Sequence, residues 1–152
     1  MDRERLVQKL LQIYGSGELE QIKGVASEIS ECFLGPVHEL RKKDKGPAPG
    51  EYDEKTRTIT LYEDNFNPKV LFHEIGHCIY HECPEIAKLT NGEYKKDVIN
   101  ELETTGEGLS WERAAAEFCA NAYQLYKTGT ISTDEAPERF RSLAEKLKEK
   151  RF

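Results

Sequence analysis

Residues 70–81, VLFHEIGHCIYH, constrain the structure of this chain more than any other stretch. They hold three of its four histidines, each four residues from the next. Because residues four apart are neighbours on one face of an α-helix, this spacing predicts a helix with imidazoles along one side. Asn67 and Pro68 are typical of a helix start, and Pro84 disfavours helix at the residue before it. We therefore predict a helix from about 68 to 82.

His73, Glu74 and His77 form an HExxH motif within this helix. Two imidazoles at this spacing can converge on one zinc ion with bonds of about 2.0–2.1 Å. The glutamate of such a motif does not bind the metal but takes a proton from the metal-bound water. We predict that His73 and His77 are metal ligands, that Glu74 is the general base and that Zn²⁺ is the cofactor. The opposite, apolar face of the helix consists of Leu71, Phe72, Ile75, Cys78 and Ile79.

His81 is not expected to be the third ligand. It lies about 12 Å from His73 along a straight helix, so both cannot reach one zinc ion. The metzincin pattern solves this problem with a glycine that breaks the helix, but this chain has Tyr80 at that position. We expect His81 to be a histidine near the C-terminal helix dipole, or a group that supports the site without binding the metal.

The third ligand is expected on a helix predicted at 111–127, capped by Ser110 and closed by Gly129. Two glutamates on this helix compete for the role, Glu112 and Glu117. Glu112 borders the predicted buried stripe and Glu117 lies on the far side, so we predict Glu112, with Glu117 as the alternative. As a first-turn acid, Glu112 is also favoured by the helix dipole. The predicted stripe consists of Trp111, Ala115, Phe118, Cys119, Ala122, Leu125 and Tyr126.

Three protein ligands leave a fourth position for water, which is typical of catalytic rather than structural zinc. Alternation at about 50–54 and 57–62 predicts a strand pair just before the histidine helix. An edge strand there can hold an extended peptide by strand addition, which favours peptide hydrolysis as the reaction. The group that stabilises the developing oxyanion is left open among Tyr52, Tyr62, Tyr80, Tyr123 and His81.

The length of 152 residues favours one domain, with N-terminal helices in 1–35, a catalytic core at 50–127 and a C-terminal helix at 133–150. Residues 36–50 resemble a loop, and within 84–110 the sequence favours a helix only at 94–104. The predicted fold class is α+β: a compact zincin-like domain, mainly helical, with a small antiparallel hairpin beside the HExxH helix.

The net charge of −6 makes the chain a poor candidate for binding nucleic-acid phosphates. No apolar run approaches the roughly 18–20 residues that a membrane span needs. The N-terminal sequence MDRERLVQKLLQIYG lacks the pattern of a signal peptide, so we expect a cytoplasmic protein with reduced cysteines. The expected partner is a protein or peptide substrate, with neither nucleic acid nor membrane bound. The oligomeric state is left open.

Residues 50–126 resemble the ImmA/IrrE family of compact zinc metallopeptidases. The family form is an HE-x-GH-xxx-H helix followed by E-x-x-A-x-x-F-A, and HEIGHCIYH matches the first part. The helix that opens WERAAAEFCA matches the second part, with cysteine in place of the last alanine and with Ala116 where the family often has Asn or Asp. The matching positions are Glu112, Ala115, Phe118 and Cys119.

This resemblance implies a gluzincin-like peptidase, often carried by phages or mobile elements or linked to stress, that cuts DNA-binding repressors. It also implies that Glu112 is the third zinc ligand. One alternative is a zinc-bearing protein-interaction module whose peptidase activity is weak or lost. Another is a small helical binding domain with a chance motif. Glu74 favours the peptidase, because binding zinc alone requires no general base.

Overall fold

A computed structural model describes residues 3–14, 39–42, 50–62, 68–104, 109–131, 137–150 and 152. Within these ranges the protein is mostly helical and carries a small sheet, which agrees with the predicted α+β class. The helices are α1 (Arg3–Tyr14), α2 (Pro68–Glu82), α3 (Pro84–Gly92), α4 (Lys95–Thr104), α5 (Trp111–Thr128) and α6 (Glu138–Glu149). The strands are β1 (Glu39–Lys42), β2 (Gly50–Asp53) and β3 (Thr58–Leu61).

The sheet has the order β1-β3-β2, with β1 parallel and β2 antiparallel to β3. The β2–β3 hairpin confirms the predicted strand pair. Its turn is stabilised by Asp53, whose Oδ1 accepts hydrogen bonds from the backbone N–H groups of Lys55 and Thr56. Strand β1 lies in the segment that the sequence predicted as a loop. Its sequence, ELRK, shows no apolar alternation, and only pairing with β3 makes it a strand.

Helix α2 has the predicted bounds, and Cys83 alone separates it from α3. Helix α3 was not predicted, although Pro84 suits its first turn. Helix α5 begins as predicted, because Ser110 Oγ accepts from the Arg113 N–H, and it ends at Gly129 with a φ of 74°. Helix α6 lies within the predicted range 133–150. The start of that range, and the second helix predicted within 1–35, fall outside the described residues.

The core lies around α5, which packs against α2, α3, α4 and α6. Gly76 lets α2 approach it closely, since a Cβ at this position would lie 2.6 Å from Ala120 Cα. Sheet strands β2 and β3 contact α2 as well, so α2 lies between the sheet and α5. The described cysteines Cys78, Cys83 and Cys119 form no disulfide. None of the described helices is both long and apolar enough to cross a bilayer. The largest fully buried apolar side chains include Leu10, Ile59, Leu71, Phe72, Phe118, Tyr123 and Phe140.

Candidate metal centre

The two histidines of the HExxH motif lie side by side on α2 and point towards one carboxylate of α5. Their ring centroids are 5.1 Å apart. His77 Nε2 lies 2.8 Å from Glu117 Oε1, and His73 Nε2 lies 3.4 Å from Glu117 Oε2. The three residues each offer one ligand atom, and these atoms all lie within 4.8 Å of one another. Two adjacent helices therefore bring two imidazoles and one carboxylate to a single point.

These three residues fit a zinc ion. Tetrahedral zinc with bonds of about 2.1 Å separates its ligand atoms by about 3.4 Å, close to the two His–Glu distances of 2.8 and 3.4 Å. Two histidines and one glutamate are also a known ligand set of catalytic zinc sites. The set leaves a fourth position for water or substrate. A metal could thus be held here with only small side-chain movements.

Gln124 forms a hydrogen bond with the nitrogen of His73 that does not face Glu117. Its Oε1 lies 3.2 Å from His73 Nδ1. Because an amide oxygen only accepts hydrogen bonds, Nδ1 is the donor, and Nε2 is directed at Glu117. An outer hydrogen bond of this kind fixes the ring orientation and tautomer of a metal-binding histidine. Gln124 was not predicted from the sequence as part of the site.

Glu117 and His73 stabilise the charged forms of one another. Burial alone would raise the pKa of Glu117, but hydrogen bonds from both imidazoles and their charge hold this pKa well below its usual range. Burial alone would lower the pKa of His73, but the hydrogen bond and charge of Glu117, together with the charge of Glu74, raise it. Glu117 is therefore a carboxylate over the whole physiological pH range, which is the form that binds a cation.

Glu74 lies next to this cluster without belonging to it. Its side chain is buried at 5 % exposure, and a Cβ on Gly50 of β2 would lie 3.4 Å from its Oε2. Burial raises the pKa of Glu74 above its ordinary value, and the positive charge of the neighbouring histidines opposes this shift. A carboxylate whose pKa is moved towards neutrality is suited to take up a proton and to give it back.

An open cleft of about 940 Å³ lies in front of the cluster. It is bounded on one side by β2 and the following turn, and on the other by the first half of α5. The cleft is acidic, because six carboxylates line it against two cationic side chains, Lys55 and Arg113. The carboxylates belong to Glu51, Asp53, Glu54, Glu74, Glu112 and Glu117.

The structure does not bring Glu112 to the histidines. It places Glu112 in a second group with Glu54 and His81, and gives Glu117 the position predicted for the third ligand. The predicted buried stripe did not anticipate this placement, because Trp111 at its edge is 37 % exposed while Gln124, on the same side of the helix as Glu117, is fully buried. Helix α5 packs against other elements on several sides, so its apolar stripe marks only one of its buried faces.

A signal for Glu117 was present in the sequence. Starting from Glu117, α5 runs EFCANAY, so Ala120 follows at the third position and Asn121 comes directly after it. This is the order E-x-x-A-N with an aromatic residue two positions later. The Asn that is missing when the family pattern is aligned on Glu112 is therefore present when it is aligned on Glu117.

Asn121 is a further cleft residue that the sequence did not single out. It is fully buried, and neither its Oδ1 nor its Nδ2 has a hydrogen-bond partner among the described residues. It lies one helical turn after Glu117 and lines the cleft. A buried amide without partners costs about 1–3 kcal/mol, so Asn121 places a polar group with no described partner beside the cluster of His73, His77 and Glu117.

Comparison with known proteins adds no relative. No family model matches the chain, and neither a curated protein nor a solved structure matches it significantly. The likeness of HEIGHCIYH and of α5 to the ImmA/IrrE motifs is thus a resemblance between short sequences.

Proposed function

We propose that this protein is a zinc-dependent endopeptidase with a zincin-like active site. The observation that carries the proposal is the convergence of His73, His77 and Glu117 on one point, with the buried Glu74 beside them and an open cleft in front. The three converging residues would hold the zinc ion. This is the arrangement expected of an ImmA/IrrE-like peptidase, with Glu117 as the third ligand.

A zinc ion held by His73, His77 and Glu117 would supply Lewis-acid chemistry, lowering the pKa of a bound water molecule and polarising the carbonyl group of a peptide. The Glu74 carboxylate takes a proton from the attacking water while the water oxygen forms a bond to the carbonyl carbon. When the C–N bond breaks, Glu74 returns this proton to the amide nitrogen, which leaves as an amine. The raised pKa of Glu74 suits both transfers, because the group must gain and lose a proton in each cycle.

Strand β2 is a suitable platform for the substrate. It is an edge strand of the described sheet, and all four of its residues line the cleft. An extended polypeptide can therefore pair through main-chain hydrogen bonds with the edge of β2 that faces no other described strand. Because Gly50 lies against Glu74, a peptide bound in this way would pass close to the proposed base.

The acidity of the cleft favours a basic polypeptide as substrate. DNA-binding repressors are rich in basic side chains, so the substrate class implied by the sequence resemblance agrees with the charge of the cleft. We propose a repressor of this kind, on a separate chain, as the substrate.

The test is the Glu74→Gln variant, with Glu85→Gln as a matched control on an exposed acid outside the cleft. A labelled basic polypeptide, and any repressor encoded beside this chain, serve as protein substrates. We expect Glu74→Gln to bind zinc like the wild type and to lose hydrolysis by at least about 100-fold, since glutamine cannot accept the proton.

Equal cleavage by wild type and Glu74→Gln would place hydrolysis elsewhere and favour a zinc-bearing interaction module instead. Loss of zinc in Glu74→Gln would show that Glu74 holds the site together structurally. Wild-type protein that takes up no zinc would contradict the proposal as a whole.

A further inference from the structure

A second group of side chains lines the same cleft one helical turn beyond His77. His81, at the end of α2, directs its Nδ1 at Glu54 Oε2, 2.8 Å away. Glu54 belongs to the turn between β2 and β3, so this contact ties the hairpin to the end of the histidine helix. Residues four apart on a helix are neighbours, so His81 follows His77 along the cleft wall. The proposed function leaves this histidine without a role.

The imidazole of His81 is held in a fixed orientation. The ring of Tyr52 stacks on it with a centroid distance of 6.0 Å and an interplanar angle of 28°. The ring of Tyr80 meets its edge at 5.3 Å and 90°. Glu54 contacts Nδ1 of this ring. No described residue forms a hydrogen bond with the second ring nitrogen, Nε2. A carboxylate on one nitrogen of an imidazole fixes the direction in which the other nitrogen acts.

The four tyrosines that the sequence also left open for the oxyanion-stabilising role differ from His81. Their hydroxyl groups already form hydrogen bonds, and three of them lie away from the cleft. The Tyr62 hydroxyl donates to Glu51, the Tyr123 hydroxyl donates to the backbone oxygen of Phe152, and the Tyr80 hydroxyl accepts from Asn91. None of these three rings lines the cleft.

Tyr52 does line the cleft, but its hydroxyl donates to Glu82, the residue that follows His81 on α2. Of the five groups that the sequence left open, only His81 combines a place in the cleft with a ring nitrogen that has no hydrogen bond to a described residue. Arg113, on the α5 side of the cleft, is a further cation that the sequence did not propose for this role.

We propose that His81 is a catalytic residue of the peptidase, which donates a hydrogen bond from Nε2 to the carbonyl oxygen of the scissile peptide bond, and that Glu54 is its positioning residue. This inference rests on the proposed function. As the water oxygen bonds to the carbonyl carbon, the π electron pair of the C=O bond moves onto the oxygen. An Nε2–H group directed at the oxygen stabilises that negative charge and keeps its hydrogen, while the Glu54 carboxylate holds Nδ1 in place.

The experiment compares His81→Ala, Glu54→Gln and Arg113→Gln in the zinc-loaded full chain with the same labelled basic polypeptide as probe. We expect His81→Ala to lower kcat by roughly 100- to 1,000-fold with little change in KM, as removal of one oxyanion donor does. Glu54→Gln should lower kcat by about tenfold, because the ring keeps its donor and loses its fixed orientation. Tyr123→Phe and Glu85→Gln are the controls and should leave both constants unchanged.

Three kinetic outcomes would overturn the inference: an unchanged kcat in His81→Ala, an effect confined to KM, or a larger kcat loss in Arg113→Gln than in His81→Ala. A second zinc ion per chain that disappears in His81→Ala would also overturn it, since His81 would then be a metal ligand. Hydrolysis that requires Glu74 but not His81 would refute this inference alone and leave the proposed function standing.

A peptide phosphonamidate, whose tetrahedral phosphorus oxygens resemble the oxyanion, decides the role of His81 independently of turnover. Its affinity for the zinc-loaded protein should fall at least about tenfold in His81→Ala and remain unchanged in Tyr123→Phe. Equal affinity in the wild type and His81→Ala would contradict the inference even if no variant cleaved the labelled polypeptide.

Discussion

His77 Nε2 lies 2.8 Å from Glu117 Oε1, across the interface where α2 and α5 pack against each other. Gly76, the residue before His77, faces Ala120, about one turn after Glu117, in the same interface. The candidate metal ligands are thus part of the main packing contact of the protein, and two of them lie on one helix and the third on its neighbour. Any change that separates these helices should weaken metal binding and lower stability together.

Zinc content should depend on Glu117 and not on Glu112. We expect about one zinc per chain in the wild type, and loss of most of it in His77→Ala and Glu117→Gln, because two protein ligands rarely hold zinc tightly. Glu112→Gln is the matched control on the same helix and should keep its zinc. Elemental analysis of the four purified proteins measures this. Zinc loss in Glu112→Gln alone would return the ligand role to Glu112.

Gln124→Ala should weaken zinc binding by about 10- to 100-fold while the protein stays folded, because His73 would lose the partner that fixes its ring. Gln124→Glu keeps an acceptor at this position and should retain more of the affinity. Competition with a chromogenic chelator measures both values. Equal affinity of wild type and Gln124→Ala would show that the helix alone orients His73.

Gly76→Ala should destabilise the protein by about 1–3 kcal/mol. A Cβ there would lie 2.6 Å from Ala120 Cα and 3.1 Å from the Ala120 backbone oxygen. This overpacking against backbone outweighs the gain of up to about 1 kcal/mol in helix propensity. Gly92→Ala is the control, since nothing lies within 4 Å of a Cβ at that position. Urea denaturation of both variants would reveal the difference, and a stabilised Gly76→Ala would contradict the close packing.

Gly50→Ala should reduce hydrolysis more than stability. The new Cβ would lie 2.7 Å from Val70 Cγ1 and 3.2 Å from Glu74 Cγ, so β2 or the proposed base must shift. Misplacement by about 1 Å can cost up to about 100-fold in rate, and we expect a loss of about tenfold in kcat/KM. The double variant Gly50→Ala with Val70→Ala relieves the first contact and should recover part of the rate. No recovery would argue that the strand position does not control Glu74.

The sequence by itself determined the elements whose signals are local. The bounds of α2 followed from Asn67-Pro68 and Pro84, and those of α5 followed from Ser110 and Gly129. The β2–β3 hairpin followed from the alternation on both sides of the turn at Asp53. The placement of His73 and His77 on one face of a helix also followed from their spacing alone, because the period of the α-helix is fixed by its backbone hydrogen bonds. The resemblance to ImmA/IrrE peptidases likewise came from contiguous residues.

Only the tertiary structure decided which glutamate meets those histidines and that ELRK is a strand. A helical stripe shows which face is apolar, but α5 is enclosed on several sides. The face that carries the half-buried Glu117 therefore also holds the fully buried Asn121 and Gln124. Strand β1 owes its conformation to hydrogen bonds with β3, a partner 19 residues further along the chain in the register that pairs Glu39 with Thr58. Contacts between residues far apart in sequence have no local period, so a single sequence does not reveal them.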